Sequence, residues 1–98
     1  MNAPDETIHQ PVRLRIMAAL TALRSDHEGL DFTRLKTLTG ASDGNLGAHI
    51  DQLAKAGYVE VSKAFVARRP RTTVKASPAG RAAFERHVAF LREIIARA

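Results

Sequence analysis

Ninety-eight residues, 45% apolar and 26% charged, suffice for one domain with a single modest core and argue against wholesale disorder. Aromatic residues make up only 5% and cysteine is absent. Leu, Ile, Val and Ala must therefore build the core, which favours a helical chain, and disulfide frameworks and thiolate metal sites are excluded. The net charge of +5 is unevenly placed: residues 1–57 hold six Lys/Arg against seven Asp/Glu, residues 58–98 nine against three.

No basic stretch followed by an apolar run opens the chain, and Ile16 to Leu20 is far too short to span a bilayer. The expectation is a cytoplasmic protein with no membrane partner. Between Glu60 and Lys75 five basic residues accompany one acidic residue. A concentrated basic patch is the electrostatic footprint of a nucleic-acid binder. A solvated basic surface has the same composition, so charge alone does not decide the matter.

Residues 1–7 are polar, include Pro4, and read as a flexible N-terminal arm. Residues 8–98 read as one domain. A first helix begins at Ile8 or Pro11 and runs to Arg24, with Val12, Ile16, Leu20 and Leu23 as its apolar stripe and Leu14 and Met17 widening it. Ser25 to Gly29 is a polar loop. Thr33 is placed to cap a short second helix, Arg34 to Thr39, that buries Leu35 and Leu38 and is closed by Gly40. Ser42 caps a third helix, Asp43 to Ala56, closed by Gly57. Two short helices joined by a tight glycine-containing turn form a helix-turn-helix, here about 33–56. Leu46, Ile50 and Leu53 fix the buried face of the third helix, leaving Asn45, Ala48, His49, Gln52 and Lys55 on the opposite face.

After Gly57 the pattern turns β-prone. Tyr58, Val59 and Val61, then Thr72 to Ala76, frame a loop from Phe65 to Pro70, giving a hairpin about 58–76. Arg68 and Arg69 mark its tip, with Lys63, Arg71 and Lys75 on its arms. Phe65 and Val66 are expected to pack against the base of this hairpin. Ser77-Pro78 starts a last helix, about 78–97. It carries two adjacent apolar stripes, Phe84, Val88, Leu91 and Ile95 beside Ala83, Phe90 and Ile94, with His87 between them. One stripe docks on a small domain; the other marks an interface.

The order helix, helix, turn, helix, hairpin, long helix is that of a winged helix. Pro11-Val-Arg-Leu-Arg-Ile-Met, Ala41-Ser-Asp-Gly-Asn-Leu-Gly-Ala-His-Ile, Leu53-Ala-Lys-Ala-Gly-Tyr-Val-Glu-Val and Arg68-Arg-Pro-Arg-Thr-Thr resemble the small MarR/ArsR-like winged-helix transcriptional regulators. Ser77-Pro-Ala-Gly-Arg-Ala, opening the last helix, belongs to the same pattern, which covers roughly residues 8 to 95. The fold class expected is mainly α with a small β-hairpin: a winged helix-turn-helix with an added C-terminal dimerisation helix. The resemblance implies a homodimer joined through the first and last helices, and the residues assigned to that interface are Ile8, Val12, Ile16, Val88, Phe90, Leu91, Ile94 and Ile95. One departure is Gly47-Ala48, where the family often has a polar residue such as serine.

On this reading double-stranded DNA is the partner, at a pseudo-palindromic site, with the third helix in the major groove. The candidate contacts are Ser42, Asn45, Ala48, His49, Gln52 and Lys55 on the helix and Lys63, Arg68, Arg69 and Arg71 on the wing. Asn45 and Gln52 have the geometry for two hydrogen bonds to adenine, and His49 has donors for guanine or phosphate. The arginines suit phosphates or the neighbouring minor groove. Gly44 and Gly47 either allow close approach to DNA or are tolerated losses of helix propensity. A protein-interaction module reusing the fold is the competing reading, and the Arg-rich wing speaks against it. No cofactor is implied. His9, His27, His49 and His87 are read as ordinary histidines rather than metal ligands, and no catalytic constellation is present. A small-molecule effector, of unknown chemistry, has a candidate place between the dimer helices and the DNA-binding helices.

Overall fold

Proline at position 11 cannot donate a backbone hydrogen bond, and the chain uses it to begin a helix rather than continue one. In the computed structural model, which describes residues 3–98, a single turn α1 (Glu6–His9) therefore precedes α2 (Pro11–Thr21). Gln10 is the break between them, and its side chain accepts the Arg13 N–H at 2.9 Å. There follow β1 (Leu30–Asp31), α3 (Phe32–Thr39), α4 (Asp43–Lys55), β2 (Val59–Val66), β3 (Arg69–Ala76) and α5 (Pro78–Arg97). The three strands form one antiparallel sheet in the order β1-β3-β2.

Of the loose arm expected over residues 1–7, residues 1 and 2 lie outside the described residues, and the structure ties down Asp5 to Thr7. Asp5 caps α1 by accepting the Ile8 N–H at 3.0 Å, and its other carboxylate oxygen accepts the Tyr58 hydroxyl at 2.6 Å. Its own N–H donates to His87 Nδ1 at 3.0 Å.

That core consists of Ile8, Ile16, Met17, Leu20, Leu35, Leu46, Ile50, Leu53, Val59, Val74, Ala76 and Ala83. α4 contributes the face its periodicity assigned, α5 buries Gly80, Ala83 and His87 rather than either whole apolar stripe, and two other helices differ at their ends. The first is α3, which starts at Phe32 with Asp31 rather than Thr33 as its cap. Half-buried Phe32 packs against the core, while Leu38 is left 44% exposed. The second is α2, which ends at Thr21, not Arg24. Its final carbonyls receive the guanidinium of Arg81 from α5, which donates to the oxygens of Leu20, Thr21, Leu23 and Arg24. A cation on a helix C-terminus also suits the helix dipole.

The wing is a hairpin with a two-residue turn at Ala67 and Arg68, both with positive φ (51° and 66°). Such a turn matches the twist of the flanking strands. Pairing runs from Val59 opposite Ala76 to Val66 opposite Arg69, so strand replaces most of the loop expected from Phe65 to Pro70. Pro70 is accommodated because β1 pairs with β3 only at Thr73 and Val74 and leaves the outer edge of β3 free at position 70. The strand β1 itself was not foreseen. Two residues are too short to show alternation.

α5 reaches the sheet because residue 80 is glycine. A Cβ there would lie 2.0 Å from the Tyr58 carbonyl oxygen. The same junction carries Ser77, whose N–H donates to Tyr58 at 3.0 Å, whose hydroxyl donates to the Gly57 carbonyl, and whose oxygen caps α5 by accepting the Gly80 N–H.

Candidate nucleic-acid interface

The turn between α3 and α4 is made by Gly40, at φ 70°, a left-handed conformation that glycine adopts without strain. Ser42 then caps α4, accepting the Asn45 N–H at 3.3 Å, and Lys36 of α3 forms an ion pair of 2.6 Å with Asp43 across the turn. Leu46, Ile50 and Leu53 are buried, so the rotation of α4 about its axis is fixed. Asn45, Ala48, Gln52 and Lys55 are consequently exposed along one side, at spacings of three, four and three residues that keep them on a single helical face.

His49 is half-buried beside that face. The Arg13 guanidinium lies 3.0 Å from its Nδ1. Because Arg only donates, Nδ1 is the acceptor and the imidazole proton sits on Nε2. Burial, and secondarily the charge of Arg13, hold the His49 pKa below its ordinary value. The ring therefore offers one N–H rather than the two donors of an imidazolium. Arg13 also donates through Nε to the Thr7 carbonyl, which ties α1, α2 and α4 together. Nothing in the spacing of Arg13 along α2 announced this contact.

Every residue of the wing from Val61 to Arg71 is exposed. Lys63, Arg68 and Arg69 stand free of the core, and Arg71 lies 3.8 Å from Asp31. Phe65 and Val66 do not fold back on the wing base as expected: they are 78% and 48% exposed. The hairpin is fully paired to its tip, which leaves Phe65 in solvent, while Val66 borders a cleft of about 450 Å³ that it shares with Asp31, Phe32 and Thr33. Between wing and α4 runs a small groove of about 160 Å³ lined by Phe32, Gly47, Ile50, Asp51, Val61, Lys63 and Thr72. Gly47 and Asp51 thus face the wing. A Cβ at Gly44 or at Gly47 meets nothing within 4 Å, so neither glycine is required for packing inside the domain.

The residues assigned to a dimer interface divide. Ile8 and Ile16 are fully buried in the domain's own core and have no surface to offer a partner, which removes them from the interface. Val12, Val88, Phe90 and Leu91 are half-buried, and Ile94 and Ile95 are 51% and 73% exposed. Phe90 also takes part in a ring cluster within the chain, its centroid 6.1 Å from that of His9 and 5.7 Å from that of His87. His9 Nδ1 and His87 Nε2 lie 3.3 Å apart. Among the described residues no group of three or more His, Cys, Asp or Glu is placed to hold a metal ion. Among the described residues no helix is long and apolar enough to cross a membrane.

A helix-turn-helix with an exposed polar face on its second helix, flanked by a basic β-hairpin, defines a winged-helix DNA-binding domain. The chain belongs to the family of winged-helix DNA-binding domains, whose model matches residues 12–95. It is 35% identical over 77 residues, 79% of each chain, to an uncharacterised protein of Methanocaldococcus jannaschii. It also resembles a transcriptional regulator homologue from Pyrococcus horikoshii, with 30% identity, a TM-score of 0.80, and coverage of 93% of this chain and 86% of that one. The fold recurs in the Bordetella bronchiseptica DNA-binding protein BpsR at 22% identity and TM-score 0.72, covering 98% and 68% of the two chains. It recurs as well in a MarR-family regulator from Silicibacter pomeroyi, at 22% identity and TM-score 0.66, covering 94% and 58%. The chain is thus a winged-helix DNA-binding domain, and its fold is that of MarR-family regulators.

Proposed function

We propose that the protein is a cytoplasmic, dimeric repressor that reads a pseudo-palindromic DNA site. The observation that carries this reading is the juxtaposition of the exposed face of α4 with the basic wing. Asn45 and Gln52 meet base edges in the major groove, Ala48 meets a thymine methyl, and His49 donates its Nε2 proton to guanine or phosphate. Ser42, whose hydroxyl proton remains available beyond its capping role, and Lys55 take phosphates at the two ends of the helix. Lys63, Arg68, Arg69 and Arg71 clamp the backbone or enter the adjacent minor groove. Val12, Val88, Phe90, Leu91, Ile94 and Ile95 form the self-complementary patch of a two-fold dimer. That dimer presents two α4 helices to successive major grooves, and repression follows from occupying promoter DNA. For a small-molecule effector we propose the groove between the dimer helices and the DNA-binding helices; the Bordetella relative is regulated in its DNA binding by 6-hydroxynicotinic acid.

The test is binding to random duplex DNA across a salt series, comparing wild type with the double variant Arg68→Ala/Arg69→Ala. Each phosphate contact adds about 0.9 to the slope of log K against log salt. Loss of two arginines from each protomer of a dimer removes roughly 3 to 4 from that slope. Equal slopes refute the clamp, and an absence of binding by wild type at low salt refutes the regulator reading.

A further inference from the structure

The tip of the wing has a chemistry that phosphate contacts do not use. Phe65 is 78% exposed and Val66 48%, the former a larger exposed fraction than any other large apolar side chain among the described residues. Pro70 lies directly opposite Phe65 and Arg69 directly opposite Val66. Strand alternation puts Phe65 and Pro70 side by side on the face that buries Val59, Val74 and Ala76 nearer the domain. The pairing with Pro70 leaves most of the phenyl ring in solvent. The ring itself has no cover: from Val61 to Val66 the strand advances about 17 Å at about 3.4 Å per residue, and although Val66 and Pro70 border a cleft with Asp31, Phe32 and Thr33, Phe65 does not line it. The residues around the tip are Lys63, Arg68, Arg69 and Arg71. An apolar ring on a hairpin whose neighbouring positions and opposite face carry Lys63, Arg68, Arg69 and Arg71 matches a polyanion with an apolar interior, which describes a DNA groove lined by sugars and base edges.

We propose that Phe65, backed by Pro70, is an apolar wedge that the wing drives into the minor groove beside the site read by α4, opening a base step and kinking the duplex. The proposal rests on the DNA-binding reading above. Its dimensions agree: the minor groove is about 6 Å wide and about 7.5 Å deep, and the projecting part of the hairpin is roughly twice that depth. Side chains such as Phe and Pro inserted at base steps bend DNA by about 20–90° toward the major groove. The ring is the wedge, Pro70 stiffens its support, and the arginines neutralise phosphates that the bend draws together. Pyrimidine–purine steps unstack most readily. The wedge thus adds a sequence preference outside the bases touched by Asn45 and Gln52.

The experiment uses the full chain and duplexes selected by the wild type from a random pool, labelled at both ends for energy transfer. Wild type is expected to shorten the end-to-end distance by a bend of at least about 20°. Phe65→Ala is expected to abolish the bend and bind about tenfold to hundredfold more weakly. Its salt slope is expected to stay unchanged, because a phenyl ring releases no counterions. Phe65→Leu keeps apolar bulk and is expected to retain most of the bend. Arg68→Ala/Arg69→Ala lowers the salt slope in the same assay. A Phe65→Ala protein that binds and bends as wild type does overturns the wedge and leaves DNA binding standing. So does a Phe65→Ala protein that sediments as a smaller species, which assigns the ring to a second copy of the chain. If wild type binds no duplex, the wedge falls together with the regulator reading.

Discussion

Replacing Gly80 by alanine inverts the ordinary expectation for a helix. Alanine is the better helix former by about 1 kcal/mol, so the substitution stabilises α5 considered alone. Position 80 faces the backbone of Tyr58, however, with an added Cβ 2.0 Å from its carbonyl oxygen, 2.8 Å from its carbonyl carbon and 2.9 Å from its Cα. None of these atoms belongs to a flexible side chain, so α5 must lift away from the wing base. Lifting it strains the bond from the Ser77 N–H to the Tyr58 carbonyl and the bond from the Ser77 hydroxyl to Gly57. Two hydrogen bonds at about 1 kcal/mol each, together with overpacking at about 1–3 kcal/mol, exceed the propensity gain. The net loss is about 2 kcal/mol or somewhat more, which lowers the melting temperature of a domain this size by roughly 8–16 °C. Urea denaturation at matched protein concentration measures it, concentration being fixed because any self-association would contribute to apparent stability. Gly44→Ala in α4 is the control. Its new Cβ meets nothing within 4 Å, and it is expected to gain up to about 1 kcal/mol. A Gly80→Ala protein as stable as wild type refutes the close approach and the placement of α5 that depends on it.

Two further outcomes concern the histidines. Burial, followed by the charge of His9, holds His87 below its ordinary pKa of about 6.5, with Asp5 and Glu6 opposing. The folded protein keeps His87 neutral where the unfolded chain protonates it. Its contribution is therefore intact above about pH 6.5 and is lost as pH falls from there through the lower folded value. Denaturation at a series of pH values is expected to show stability falling over that window, and His87→Gln is expected to flatten part of the fall; an unaltered profile refutes the assignment. For His49, Arg13→Ala removes the neighbouring positive charge while leaving burial in place, so a proton NMR titration is expected to show its pKa rise part of the way to the ordinary value. An unchanged titration refutes the Arg13 contact.

Much of the exposed face of α4 was legible in the sequence because it depends on short-range rules. The period of Leu46, Ile50 and Leu53 sets which side of α4 is buried, and by subtraction which side carries Asn45, Ala48, Gln52 and Lys55. Gly40 and Ser42 end one helix and begin the next through local backbone chemistry. The basic character of the wing is a property of composition and does not depend on the turn type.

Tertiary structure decided whatever depends on distant partners. Ile8 and Ile16 have the apolar character of interface residues, and only packing shows that the domain consumes them in its own core. Asp5 meets Tyr58 and His87, separated from it by 53 and 82 residues, and no local rule reports that these polar groups satisfy one another. Arg13 and His49 are 36 residues apart, so the proton position on a histidine of α4 is set from another helix. Phe65 shows the converse. Its hydrophobicity indicated burial, but a hairpin paired to its tip extends beyond the reach of the core. Helix faces and caps are encoded within a few residues of themselves, whereas the fate of a single apolar or titratable side chain depends on which surface the folded chain brings to it.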